Sequence, residues 1–269
     1  MEYLAVFVFG LIVGSFLNVV ILRFNTGMTV SDGRSRCFSC GEELTWSELV
    51  PVLSYAFQGG ACRKCGSRIS PQYPLVEIAG GMAFIAAYTM VPGALSGAMP
   101  FAAFALTAIL LCLYVVIVAY DLKHKIIPDF FSYLAGFAAL GLVAVDSATT
   151  GSVDFMRVIG GPALFLFFWF FWKVSKGRWM GLGDGKLALS IGWTLGLVQG
   201  LAALLISFWA GAVVSLAAMG YQRVSKKGRE GAALGMKSEI PFGPFLVIGF
   251  LVVFFGFIDM QSILAYLAL

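Results

Sequence analysis

LALSIGWTLGLVQGLAALLISFWAGAVVSLAAMGYQ, residues 187–222, runs for 36 residues without a charged side chain. About 20 apolar residues of helix cross the hydrocarbon core of a bilayer, so this run is too long for one span. The segment Gly196-Leu197-Val198-Gln199-Gly200 near its first third supplies a break, and the run reads as two helices joined by a tight turn. Working outward, further apolar runs occupy residues 3–22, 78–100, 101–120, 130–145, 158–172 and 240–258. With 60% hydrophobic and 12% charged residues among 269 and a mean hydropathy of +0.91, the chain has too little polar surface to coat a soluble globule. The expected fold is an all-α polytopic membrane protein of about eight transmembrane helices.

Charge sets the orientation. Loops on the cytoplasmic side collect Lys and Arg, and segments 23–76, 121–129, 173–186 and 221–239 hold 17 of the 18 basic residues, leaving Arg157 alone outside them. Eight spans with both termini external account for this distribution. The run 3–22 lacks a basic segment before it and is followed by Arg23, so it reads as an uncleaved first span. The net charge of +4 follows from the loop bias, and no nucleic-acid partner is needed to explain it. Segment 221–239 reads as a basic, lipid-facing connector. The chain divides into a first helix, 1–23, a cytosolic domain, 24–76, and a seven-helix membrane domain, 77–269.

The cytosolic domain carries two C-x-x-C-G knuckles, Cys37-Phe38-Ser39-Cys40-Gly41 and Cys62-Arg63-Lys64-Cys65-Gly66. Each knuckle places two thiolates on one side of a turn whose glycine permits the required backbone, and two of them complete a tetrahedral site. A domain of this size buries little core, so a structural Zn2+ supplies what packing cannot. Paired disulfides or a redox motif conflict with the cytosolic placement and the doubled spacing. Cys112, within an apolar run, reads as a small core residue.

Ionisable groups at the edges of spans are functional candidates. Those on the expected cytoplasmic side are Glu77, Asp121, Asp129 and Asp184. Asp129 follows Pro128 before an apolar run and reads as a helix N-cap, a reading also open to Asp184. Asp121 closes a helix, where a carboxylate opposes the macrodipole. Gly181, Gly183 and Gly185 around Asp184 would let an extended backbone approach it. Two carboxylates close enough to share a proton can hydrolyse a peptide, one activating water and the other donating to the carbonyl oxygen. The helix ends predict Asp121 as the acid and Asp184 as the base. His124, the only histidine, reads as a solvated loop residue.

The combination of GSFLNVVILR (14–23), the paired knuckles, Trp46 with PVLSY (51–55), SPQYPLVE (70–77), YDLKHKIIPD (120–129) and GLGDGKL (181–187) resembles the bifunctional type IV prepilin leader peptidases and N-methyltransferases. The resemblance covers nearly the whole chain. It implies a multi-pass protein of the bacterial cytoplasmic (inner) membrane with its active site facing the cytoplasm. The implied activity is cleavage of prepilin and pseudopilin leaders after Gly and before Phe, followed by methylation of the new amine from S-adenosylmethionine. It further implies Asp121 and Asp184 as the catalytic pair and Cys37, Cys40, Cys62 and Cys65 as the cytosolic cysteines. No glycine-rich nucleotide loop marks a methyl-donor site, and Asn18, Arg23 and Glu77 are its candidates, with a structural polar cluster as the competing reading. The rival functions are a peptidase lacking methyl transfer, a proton-coupled carrier, whose carboxylates would sit nearer the bilayer midplane, and a non-enzymatic zinc-ribbon assembly factor. Membrane lipid is the one other partner expected, and no oligomeric state is implied.

Overall fold

The structure is a computed structural model that describes residues 1–30, 33–225 and 241–258. Its helices are α1 (Glu2–Arg23), α2 (Leu53–Phe57), α3 (Gln72–Met90), α4 (Ala98–His124), α5 (Asp129–Thr150), α6 (Phe155–Ser175), α7 (Leu182–Leu195), α8 (Leu197–Ser225) and α9 (Gly243–Phe254), with a 3-10 turn at Trp46–Glu48. Two isolated bridges are the only β pairing among the described residues. Apart from the short α2, each helix answers to one predicted apolar run. The break in the 187–222 run falls at Gly196, whose φ of +82° is open to glycine and strained for other residues, while Gly200 continues as helix within α8.

Six helices, α1, α3, α4, α5, α6 and α8, are long and apolar enough to cross a bilayer. Among the described residues, the expected eight spans correspond to these six helices and to the shorter α7 and α9. With 14 and 12 residues, α7 and α9 reach only about 21 and 18 Å at ~1.5 Å per residue, against a core of ~30 Å. Glycine ends α7 early, and α9 begins at Gly243-Pro244. The predicted connector at 221–239 lies mostly outside the described residues.

The chain forms two compact units, Met1–Ala119 and Tyr120–Leu269. In the first, α1 packs along α3 through Gly10 and Gly14, where added Cβ atoms would come within 2.8 Å of the Gly80 oxygen and 2.7 Å of the Glu77 Cα. Small residues four apart let two helix backbones touch, the packing that works where lipid removes the hydrophobic drive for association. In the second unit α7 packs against α6 and α5, and α8 against α9. Here Gly192 meets the Gly160 backbone directly. Arg157, the one basic residue outside the predicted loops, pairs with Asp146 at 3.1 Å and donates through Nε to the Trp193 carbonyl at 3.2 Å. It thereby covers an orphan carbonyl at the end of α7.

Candidate active site

Asp121 stands in the last turn of α4, and Asp184 in the first turn of α7. They are the only buried carboxyl groups among the described residues of the second unit, 3% and 8% exposed. They lie within electrostatic range, the charge of Asp121 acting on Asp184. Each also takes a backbone N–H. Gly181 is the N-cap of α7 and donates to Asp184, which sits three residues on, not at the cap itself. The Gly243 N–H, at the first position of α9, donates to Asp121 Oδ2 at 2.9 Å. Amides at a helix start have no intrahelical partner, so α9 gives up no internal bond to make this one.

The glycines do more than open a path. A Cβ on Gly243 would come within 2.7 Å of Asp121 Oδ2 and 3.3 Å of Ile127 Cδ1, and one on Gly183 within 3.0 Å of Ile127 Cβ. Ile127 is buried and packs against both glycines, gathering the α4–α5 turn, the start of α7 and the start of α9 around one side chain. Of the three glycines expected to let a backbone approach Asp184, Gly181 has the most room: an added Cβ makes ordinary contact at 3.6 Å with Asp184 Oδ2. Gly183 is taken up by Ile127, and Gly185 by Phe168, whose Cβ would be 3.0 Å from an added Cβ. Close helix packing uses the space that free access was expected to need.

Asp129 is the first residue of α5, with Pro128 as the cap, and its predicted capping role gives way to an ion pair with Lys186 at 2.6 Å. That pair ties the start of α5 to α7, and the Lys186 ammonium also lies over the Tyr133 ring, 5.3 Å from its centroid. His124 is exposed beside the Tyr120 ring, as expected for a solvated position. Gly243 was missed in the sequence. The local signal was Pro241-Phe242-Gly243-Pro244 ahead of an apolar run, which marks a helix start but names no partner.

The four knuckle cysteines converge in the first unit, their Sγ atoms within 4.8 Å of one another. A tetrahedral Zn–S4 centre with bonds of ~2.3 Å has sulfur–sulfur edges of about 3.8 Å, and Cys37 and Cys65 stand 3.9 Å apart. The knuckles repeat one geometry. Gly41 and Gly66 donate to the carbonyls of Cys37 and Cys62 at 2.9 Å and adopt φ of +73° and +70°. The backbone N–H of Cys40, then the Ser67 hydroxyl, pull the Cys37 thiol down to about 6, toward the thiolate that a metal binds. All five cysteines are free, and Cys112 is buried in α4.

Asn18 of α1 and Glu77 of α3 are both buried where these two helices pack. Asn18, 2% exposed, donates through Nδ2 to the Tyr73 carbonyl at 3.0 Å, while its Oδ1 and the Nε2 of Gln72, the first residue of α3, are buried without a hydrogen-bond partner. Glu77 accepts the Val52 N–H at 2.7 Å and a bond from Ser15. Arg23 is drawn into the turn after α1, donating to the Thr29 carbonyl at 2.9 Å.

Comparison with known proteins follows these divisions. Residues 8–91 match the bacterial peptidase A24 N-terminal domain, and residues 106–216 the type IV leader peptidase family. The first match contains the four cysteines, Asn18 and Glu77; the second contains both aspartates, with Gly243 beyond it. A Klebsiella pneumoniae protein named prepilin leader peptidase/N-methyltransferase is 35% identical over 198 residues, covering 69% of this chain and 82% of that protein. A Bacillus subtilis (strain 168) protein of the same name is 32% identical over 192 residues, covering 70% and 72%. A third with that name, from Myxococcus xanthus (strain DK1622), is 35% identical over 199 residues, and the matched part spans 54% of its length. No solved structure matches the chain.

Proposed function

The chain belongs to the type IV leader peptidase family, and from that premise we propose that it is a prepilin leader peptidase and N-methyltransferase whose cutting centre is the Asp121–Asp184 pair. The observation that carries the pair is its burial: two carboxyl groups from separate helices, within electrostatic range, each holding one backbone N–H. Like charges so placed cannot both ionise at low cost, so the pair keeps one proton between them.

The chemistry follows from that shared proton. The ionised carboxylate takes a proton from water, whose oxygen attacks the scissile carbonyl carbon while the protonated carboxyl donates to the carbonyl oxygen. Collapse of the resulting diol breaks the C–N bond: the leaving amine takes a proton from the carboxyl that accepted one from water, and a diol hydroxyl returns its proton to the other carboxylate as the carbonyl re-forms. Cleavage falls after Gly and before Phe of prepilin and pseudopilin leaders. The substrate's apolar helix lies in the bilayer, and its basic leader stays in the cytoplasm. The basic loops support a cytoplasmic site in a bacterial inner membrane.

The donor set of Cys37, Cys40, Cys62 and Cys65 fits structural Zn2+, which would hold the cytosolic domain of residues 24–76 in shape. S-adenosylmethionine, when bound, supplies a methyl group on sulfur that is open to attack by an amine. Of Asn18, Arg23 and Glu77, Asn18 is favoured for that half-reaction because its Oδ1, with Gln72 Nε2, offers unspent hydrogen bonding. Buried polar atoms without partners are uncommon in native proteins.

Asp121→Asn and Asp184→Asn test the centre, since each keeps the side chain's shape and removes the charge. Either should abolish cleavage of a reporter prepilin while metal content and methylation of a pre-cut substrate persist; full cleavage by either variant refutes the pair. Mass spectrometry of a matured substrate's N-terminus separates a bifunctional enzyme from a peptidase alone.

A further inference from the structure

The stretch from Trp46 to Phe57 belongs to the cytosolic domain by its place in the chain, yet it is built like membrane-facing polypeptide. Trp46 and Phe57 are each 82% exposed and Leu53 55%. The 3-10 turn at Trp46–Glu48 packs against α2, so these side chains stand on one small folded piece. Large apolar groups exposed together on one short folded piece mark a contact surface.

A tether fixes the depth of this piece. Val52 sits at φ 62° and ψ −50°, in a tight turn that the Leu53 N–H closes onto the Pro51 carbonyl at 2.6 Å. A β-branched side chain avoids that conformation, so it persists only where its surroundings hold it. Here the holder is Glu77, whose Oε2 takes the Val52 N–H at 2.7 Å and which Ser15 of α1 also engages. Glu77 lies five residues into α3, about 7.5 Å along its axis at ~1.5 Å per residue. With 19 residues, α3 is about 28 Å long and needs nearly all of that length to cross a ~30 Å hydrocarbon core. That places Glu77, and the Val52 backbone it holds, about 7.5 Å inside the edge of the hydrocarbon core, within the ~5–10 Å to which interfacial segments sink. Around Glu77, α3 itself exposes Leu75 and Ile78, the surface that lipid covers.

We infer that residues 46–57 are an interfacial anchor, seated in the leaflet beside the start of α3, with Trp46, Leu53 and Phe57 buried in lipid and Glu77 as the positioning residue that holds the anchor at that depth. Tryptophan and other amphipathic rings favour this layer because one edge can stay wet while the ring leaves water. The anchor would tie the four-cysteine domain to the membrane surface by lipid contact as well as by its two flanking helices. This inference rests on the chain being a membrane protein and not on either enzymatic activity.

The test uses the full chain, labelled with 5-fluorotryptophan, in phosphatidylcholine nanodiscs. The Trp46 resonance is assigned by its loss in Trp46→Phe or, should that variant fail to accumulate, Trp46→Tyr. A nitroxide on lipid acyl carbon 5 should broaden it roughly threefold or more beyond a water-soluble paramagnetic chelate, as for a ring at the interface. Glu77→Ala should reverse that order by releasing Val52, whereas Glu77→Gln keeps an acceptor and should preserve it. Stronger broadening by the aqueous chelate would overturn the anchor, and so would shielding from both agents, which would mean that a second chain or a substrate helix covers the patch.

Discussion

Gly243→Ala is the most searching perturbation of the centre because it adds one methyl group and touches no ionisable atom. The new Cβ would stand 2.7 Å from Asp121 Oδ2, about 0.7 Å inside the 3.4 Å at which ordinary contact begins. Ile127 Cδ1, at 3.3 Å, blocks retreat on one side, so either Asp121 swings away or the start of α9 withdraws. Both responses break the 2.9 Å bond from the Gly243 amide. A hydrogen bond to a charged group contributes about 1.5–3 kcal/mol, which at ~1.4 kcal/mol per tenfold corresponds to roughly 10- to 100-fold in rate. The same range follows from displacing a catalytic group by a large part of an ångström. The expected outcome is a kcat lower by that factor with KM within about threefold, because the change acts on the position of Asp121 alone. Steady-state cleavage of a synthetic prepilin in detergent measures both constants. Gly220→Ala is the control, since nothing lies within 4 Å of a Cβ there. Wild-type kcat in Gly243→Ala, beside an inactive Asp121→Asn, would show that the α9 amide has no part in positioning Asp121.

Two further outcomes follow from other parts of the molecule. Cys62→Ser removes a buried ligand of the four-sulfur cluster; bound metal, read by mass spectrometry, should be lost, and methylation should fall further than cleavage because the aspartates belong to the other compact unit. Gly192→Ala drives a methyl group into the Gly160 backbone and should destabilise the second unit by about 1–3 kcal/mol, the usual cost of overpacking, seen as a lower thermal midpoint; an unchanged midpoint would mean that α6 and α7 are less closely held.

Much of this architecture could be read in the sequence because its determinants are local. The helix break at Gly196 needs only a glycine in a long apolar run, and the four-cysteine cluster needs only two knuckles with a glycine after each. The two aspartates stood out because charges are scarce in this composition. What was illegible depends on contacts made through space. Gly243 reaches Asp121 across 122 positions of sequence, and no local pattern announces such a bond. Glu77 is a methyl-transfer candidate by its place beside the cysteine domain in a segment that matches the family, and the structure adds a contact the sequence does not show: it holds a turn at Val52 whose positive φ nothing in PVLSY foretells. At Gly183 and Gly185 the sequence shows where a side chain is missing but not that Ile127 and Phe168 lie against the space.

The acid and base roles show how such a contact alters an electrostatic argument. From its own helix, Asp121 faces the negative end of α4 and should hold the proton, while Asp184 faces the positive end of α7 and should be ionised. A helix end is worth about 0.3–1 kcal/mol at an exposed site. The Gly243 amide brings a hydrogen bond of about 1.5–3 kcal/mol to Asp121, together with the positive end of α9, and these outweigh the opposition from α4. Asp184 has its own amide from Gly181, so each carboxylate holds one backbone donor. Such a pair in mutual repulsion holds one proton without strong preference for either side. In the proposed reaction the asymmetry would then come from the substrate: the carboxyl nearer the scissile carbonyl oxygen would serve as the acid, and its partner would activate the water.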